Sequence, residues 1–492
     1  MALSRTLTPE LRAHAQRIEA IARDAGLDFF PTVFEMLDAR DVNAVAAFGG
    51  FPVRYPSWRF GMEYERLEKG YSWGLSKIYE LVINNDPTYA YLVRSNSDME
   101  QKLVMAHVFG HADFFKHNVW FGPTERHMLD RMANHGTRLR RYIDRYGQDT
   151  VEEFLDRALS LDNLIDPFLP LRGRLQGRVD TRMPEGMLER ARRSFEAAFD
   201  EGAEDVPAAE LVEAVESTAQ APSSNDRLPT YDVLGFLAEH APLTRWQRDI
   251  VRLTRAEAYY FMPQRMTKII NEGWASFWHS RILTGGVLAP SEIIDFADCH
   301  SGATLVQPGQ LNPYKLGIEL FRHAEESGLD IFRLRRVHND ASFIDEVFDE
   351  SFAQKNQLFI YGRNHRTGRT EVLDRDWIEV KQKLLQQLAW GGLPQIELVD
   401  DDFEGREELH LVHRHDGRDL DLRAAGETLR QVALLWGRPA HLSTSEEGQG
   451  RRLTSDGQEI RTTDTSGVDG TGGTGGEGAA DGNAAEGTKE AS

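Results

Sequence analysis

Met105-Ala106-His107-Val108-Phe109-Gly110-His111-Ala112-Asp113 and, far downstream, Ile269-Ile270-Asn271-Glu272-Gly273-Trp274-Ala275-Ser276-Phe277-Trp278-His279 decide how this chain is read. Both stretches have helical spacing. Two histidines four residues apart differ by about 40° round a helix, so both rings can reach one cation. Glu100, seven residues before His107, lies on the same stripe. In the second stretch Lys268, Glu272 and His279 fall within about one quadrant at roughly 100° per residue, and Gln264 joins them if the helix starts at Pro263. Large apolar residues flank that polar face, so it is not a solvated stripe, and buried charges need partners. If the helices converge, His107, His111 and Glu272 form the inner ligand set, with His279 as a fourth ligand or an outer partner. Imidazoles with a carboxylate suit zinc or iron, and zinc is the first expectation for the divalent metal. Glu100 and Glu80 are candidates to orient a ligand imidazole or to act as general base. The competing reading keeps both histidines as hydrogen-bonded core groups and pairs Lys268 with Glu272 at i, i+4.

The first stretch also resembles the zinc helix of gluzincin-type metallopeptidases, which carry HExxH on one helix and a further Glu on another. Here Val108 occupies the place of the Glu that activates zinc-bound water. The runs YSWGLSKIYELVIN, MAHVFGHADFFKHN, PLTRWQRDIVRLTRAEAYYFMPQRMTKIINEGWASFWH and NPYKLGIELF, in this order, resemble the SpoVR family up to about residue 445. That resemblance implies a stress or developmental role. It also implies as neighbours a serine protein kinase and a protein with a von Willebrand A-like region. The family segment FFKNN reads Phe114-Phe115-Lys116-His117-Asn118 here, which makes His117 a poor candidate for a shared ligand.

Outward from the two motifs, the 492 residues suffice for two or three domains. Cys299 stands alone, so an intramolecular disulfide framework and a cysteine-rich metal cluster are excluded. A net charge of −21 argues against phosphate-backbone binding, and nucleic acid is not an expected partner. The amphipathic N-terminus and the absence of a long apolar run point to a cytoplasmic protein without membrane insertion. No Walker A loop, dinucleotide fingerprint or GxSxG elbow is present.

The expected fold class is mainly α. A large helical, zincin-like region spans 1–200 and 229–355, interrupted by an acidic linker or insertion at 201–228. A small α/β domain of β–β–α–β–β–α type covers 356–445, and a disordered Gly-rich acidic tail covers 446–492. Short strands are expected in GGFPVRYPSWRF and NDPTYAYLVRSN, helices in FFPTVFEMLDARDVNAVAAFGG and around Glu80, and a new helix from Pro263. His338-Asn339-Asp340 reads as a helix cap, and His410, His413 and His415 as an ordinary strand edge. Three functions follow. The first is a SpoVR-like protein with a metal site, in stress or sporulation-type regulation. The second is a non-catalytic adaptor whose C-terminal domain binds a partner protein. The third is a metal-dependent hydrolase with a non-standard base.

Overall fold

Local signals set most element boundaries in a computed structural model of the chain, which describes residues 5–72, 80–175, 228–303, 312–363 and 370–465. Helix α1 (Pro9–Asp24) starts where the Thr8 hydroxyl accepts the Leu11 amide and Pro9 fills the first turn. There follow β1 (Thr32–Leu37), α2 (Ala39–Ala47), α3 (Trp58–Ser72), β2 (Glu80–Ile83), β3 (Thr88–Val93), α4 (Asp98–His117), α5 (Met128–Tyr146), α6 (Gln148–Leu159) and α7 (Leu169–Leu175). The expected linker at 201–228 lies outside the described residues apart from Leu228. The helices resume with α8 (Val233–His240), α9 (Arg245–Met266), α10 (Lys268–Ile282), α11 (Ile293–Ala303), α12 (Pro313–Glu326), α13 (Ile331–Val337), α14 (Asp340–Val347) and α15 (Glu350–Lys355). A hairpin, β4 (Ile360–Arg363) and β5 (Thr370–Asp374), leads to α16 (Trp377–Leu388). The last unit is β6 (Ile396–Phe403), β7 (Glu408–His413), α17 (Leu422–Trp436), β8 (Ala440–Glu446), β9 (Gln449–Ser455) and β10 (Ile460–Asp464). The fold is mainly α with a small C-terminal sheet domain. Among the described residues no helix is long and apolar enough to cross a membrane.

The first sheet has the order β1-β3-β2, with β1 parallel and β2 antiparallel to β3. Residues 32–37 therefore form a strand where a helix was expected. Pro31 restricts the chain before it, and the β-branched and aromatic Thr32, Val33 and Phe34 favour the extended form. Glu80 likewise opens a strand and not a helix, paired with Leu92. The segment GGFPVRYPSWRF contributes no strand, since α3 already begins at Trp58.

The main core joins α1, α4, α10, α12, α14 and the first sheet, and it includes Phe29, Val108, Phe109, Trp274 and Phe321. Helix α16 packs on this body through Val380, with Trp377, Leu384 and Leu388 beside it. The C-terminal sheet, ordered β10-β9-β8-β7-β6, pairs β7 with β8 in parallel, and α17 provides the crossover between them. Its Leu398, Leu411 and Leu453 share a second core with α8 and α9. The sheet continues past Glu446, which corrects the expected start of the tail. A strand with one face toward solvent needs little apolar content, and β9 is held by pairing with both β8 and β10 and by buried Leu453.

Two junctions position α10. Pro263 lies inside α9 and does not start a helix, so Gln264 belongs to α9. The break comes at Thr267, whose hydroxyl donates to the Pro263 carbonyl at 2.7 Å. The first amides of α10 are then taken by a remote carboxylate: Asp340 accepts from Ile269 and Ile270 at 2.9 and 2.8 Å. The expected cap at residues 338–340 is thus divided, because Asn339 caps α14 itself and Asp340 caps α10.

Glycines bring α10 against both neighbours. A Cβ on Gly273 would lie 2.4 Å from the Gly317 carbonyl carbon of α12, and one on Gly110 of α4 would lie 2.7 Å from Ala275 Cα. Either would force the backbones apart. Gly273→Ala is expected to lower unfolding free energy by about 3 kcal/mol in urea titration, as overpacking of a rigid contact does. An unchanged midpoint would show that these helices separate readily.

Asp340 supplies a pH signature. Burial pushes its carboxyl up to about 7, against the pull of the amides it caps. The folded chain then holds a proton that the unfolded chain releases near 3.8. The stabilisation is complete below that lower value and is lost as pH rises through about 7. Between pH 5 and 8 the wild-type protein is expected to lose more stability than Asp340→Asn. Equal losses would contradict the assignment.

Candidate metal centre

Helix α4 begins with a capping box: the Ser97 hydroxyl accepts the Glu100 amide, and Glu100 Oε2 accepts the Ser97 amide at 2.7 Å. Glu100 is therefore engaged at the start of the helix, about 10 Å along the axis from His107 at 1.5 Å per residue. Two turns further on, His107 and His111 are buried and face α10. Their Nε2 atoms are 3.0 Å apart, and each lies 3.4 Å from Glu272 Oε2. Oε2 is buried and makes no hydrogen bond of good geometry, so an acceptor and two ring nitrogens converge on one point.

The outer ring nitrogens are occupied. His111 Nδ1 donates to Asn271 Oδ1 at 2.9 Å, which leaves the lone pair of a neutral ring on Nε2. His107 Nδ1 meets His279 Nδ1 at 2.9 Å, and His279 Nε2 meets His300 Nδ1 of α11 at 3.1 Å. His279 thus stands behind His107, as an outer partner, and does not face the point of convergence. Burial pushes His279 well below its usual range and lowers His300 too. Burial works against a charge on Glu272, and protons on His107 and His111 would oppose that effect, holding the carboxyl well below the usual carboxylate range. The Glu272 side chain keeps 19% exposure against 5% and 6% for His107 and His111, so it is the least buried of the three.

Each letter of Asn271-Glu272-Gly273-Trp274 has a separate task. Asn271 orients His111, Glu272 faces both rings, and Gly273 admits α12. Trp274 donates through Nε1 to Asp113 Oδ2 at 2.9 Å, tying α10 back to the histidine helix. Asp113 is fully buried and also accepts the Asp28 amide and faces Arg335. Lys268 is exposed and Glu272 turns to the histidines, so the expected alternative of a buried Lys268–Glu272 pair is not what forms.

The other candidates lie apart. Glu80 belongs to β2 of the first sheet. His117 Nε2 meets the Asp28 carbonyl oxygen at 2.8 Å. In the C-terminal domain His410 pairs with Ser443, His413 with Thr444 and His415 with Asp419. Glu10, His14 and Asp98 also gather, but at the surface, where Lys102 Nζ already lies 2.7 Å from Asp98. His300 had no sequence signal, because it sits on a separate helix in no periodic relation to either motif. Sequence reading also missed the buried Glu257, which is matched by Arg54, Tyr55 and His135 at 2.6, 3.1 and 2.9 Å. That network ties α5 and α9 together, with Arg54 Nε left without a hydrogen bond.

Comparison with known proteins bears on these motifs. A family model described as "SpoVR like protein" matches residues 6–393, and one described as "SpoVR-like C-terminal domain" matches residues 394–447. The boundary between them falls after α16, which agrees with the packing of that helix on the helical body. The "Uncharacterized protein YcgB" of Escherichia coli (strain K12) is 28% identical over 485 residues, covering 89% of this chain and 92% of that protein. No solved structure matches.

Proposed function

The chain belongs to the SpoVR family, and we propose that it holds one divalent metal ion, zinc in the first instance, through His107, His111 and Glu272. One observation carries this reading: the triangle of Nε2, Nε2 and Oε2 has sides of 3.0, 3.4 and 3.4 Å. Four ligands at 2.0–2.1 Å from a tetrahedral ion stand about 3.3 Å from one another. The donor set also fits chemically. Two neutral imidazoles and a carboxylate suit a borderline cation, and the unbonded Oε2 is an acceptor that an ion would satisfy. A core of hydrogen-bonded polar groups would be expected to give that oxygen a donor.

A bound zinc ion supplies Lewis acidity and lowers the pKa of a coordinated water. The residues around it are not arranged for ordinary peptide hydrolysis. Val108 has no exposed surface and packs in the main core, Glu100 caps its helix, and Glu80 lies in a strand. Our reading is a metal centre without the adjacent proton acceptor of a peptidase, in a protein of stress or sporulation-type regulation, with the serine protein kinase and von Willebrand A-like neighbours as proposed partners. An adaptor role and a hydrolase with a remote base are the alternatives to be tested against it.

Elemental analysis of untagged full-length protein is expected to find about one metal ion per chain, and little after combined His107→Ala and His111→Ala. Stoichiometric metal in that double variant would place the ligands elsewhere. Val108→Glu is expected to restore no peptidase activity and to lower unfolding free energy by about 3 kcal/mol or more, because the new carboxylate is buried without a partner. Metal-dependent cleavage of a peptide library by the wild-type protein, absent in His107→Ala, would overturn the view that the site lacks a proton acceptor.

A further inference from the structure

Three histidines from three helices stand in one hydrogen-bonded row: His107 of α4, His279 of α10 and His300 of α11, with His111 Nε2 beside His107 Nε2 at the inner end. Such a row is directional. A neutral imidazole donates from one nitrogen and accepts at the other, so fixing the proton on one ring fixes it on the next. If His107 gives its Nε2 lone pair to a cation, its proton must sit on Nδ1 and point at His279 Nδ1. His279 then carries its proton on Nε2 and donates to His300 Nδ1, whose proton moves to its own Nε2.

We propose that His279 and His300 are the positioning arm of the metal centre, holding His107 in the Nδ1–H form that turns its Nε2 to the ion. This inference rests on the metal reading above and adds to it a role for a residue outside both motifs. At His107 Nδ1 the arm stands where a carboxylate commonly orients a ligand histidine. The neighbouring ligand, His111, is oriented by the amide oxygen of Asn271. The two ligands are thus held from opposite ends of α10, by its fourth residue and by a residue three positions from its last. Phe296, one turn before His300, stacks on that ring at 5.6 Å between centroids and meets His279 edge-on at 6.2 Å, which keeps the arm in line.

Zinc affinity by chelator competition tests this on the full chain. His279→Leu and His300→Leu are expected to weaken zinc about 10- to 100-fold, as loss of outer partners does, while His300→Asn, whose amide oxygen can accept from His279, stays within about threefold of the wild-type protein. A general packing role would not predict that rescue. Zinc addition is further expected to convert the ¹⁵N signature of His300 to the Nε2–H form, and to leave it unchanged in His279→Leu. Wild-type protein that binds zinc while both Leu variants match it within twofold, with no tautomer change at His300, would overturn the arm and leave the metal centre standing. Wild-type protein that binds no zinc would overturn both.

Discussion

The closeness of α10 to α4 and α12 is the constraint on which the rest of this structure hangs. Glu272 reaches two histidines of α4 only because Gly110 presents no side chain to Ala275, and α10 stays in that position because Gly273 and Gly317 let α12 close behind it. Helices with ordinary side chains at the crossing pack with axes about 8–10 Å apart. Glycine in a helix interior costs roughly 0.5–1 kcal/mol relative to alanine, so these residues are retained for contact and not for helix stability. The apolar surroundings then do the electrostatic work. Trp274, Phe109 and Phe321 keep water from the helix crossing, so every polar group there must find a partner among the others.

That partnering is ordered from the helix termini inward. Asp340 takes the free amides at the start of α10, the Asp113–Trp274 bond fixes its rotation against α4, and Asn271 sets the ring of His111. The inner atoms Nε2, Nε2 and Oε2 are the remainder, three groups with lone pairs directed at a common point. An arrangement of acceptors without donors is unfavourable in a dry interior unless a cation or protons join it.

Much of this was legible in the sequence, for definable reasons. His107 and His111 share a helical face by their spacing alone, and the apolar flanks of Glu272 showed that its charge was not solvated. The helical character of the chain and its small C-terminal sheet domain followed from periodicity. What escaped was set by contacts between distant elements. The strand at residues 32–37 depends on pairing with β3, and β9 and β10 are ordered by hydrogen bonds that their Arg, Thr and Gly content does not advertise. Pro263 suggested a boundary that the chain makes instead at Thr267, where a hydroxyl and a remote carboxylate replace the missing backbone partners. His279 was expected as a fourth ligand or an outer partner, and the helical wheel could not choose between them because it gives direction and not depth. His300 was invisible for a simpler reason: nothing local relates α11 to α10.

The most direct measurement is zinc K-edge X-ray absorption on the full-length protein loaded with one equivalent of zinc. The account predicts a first shell of nitrogen and oxygen at about 2.0–2.1 Å, with outer-shell scattering from two imidazoles, and loss of one imidazole in His111→Ala. A shell containing sulfur, or an imidazole count unchanged by His111→Ala, would contradict it.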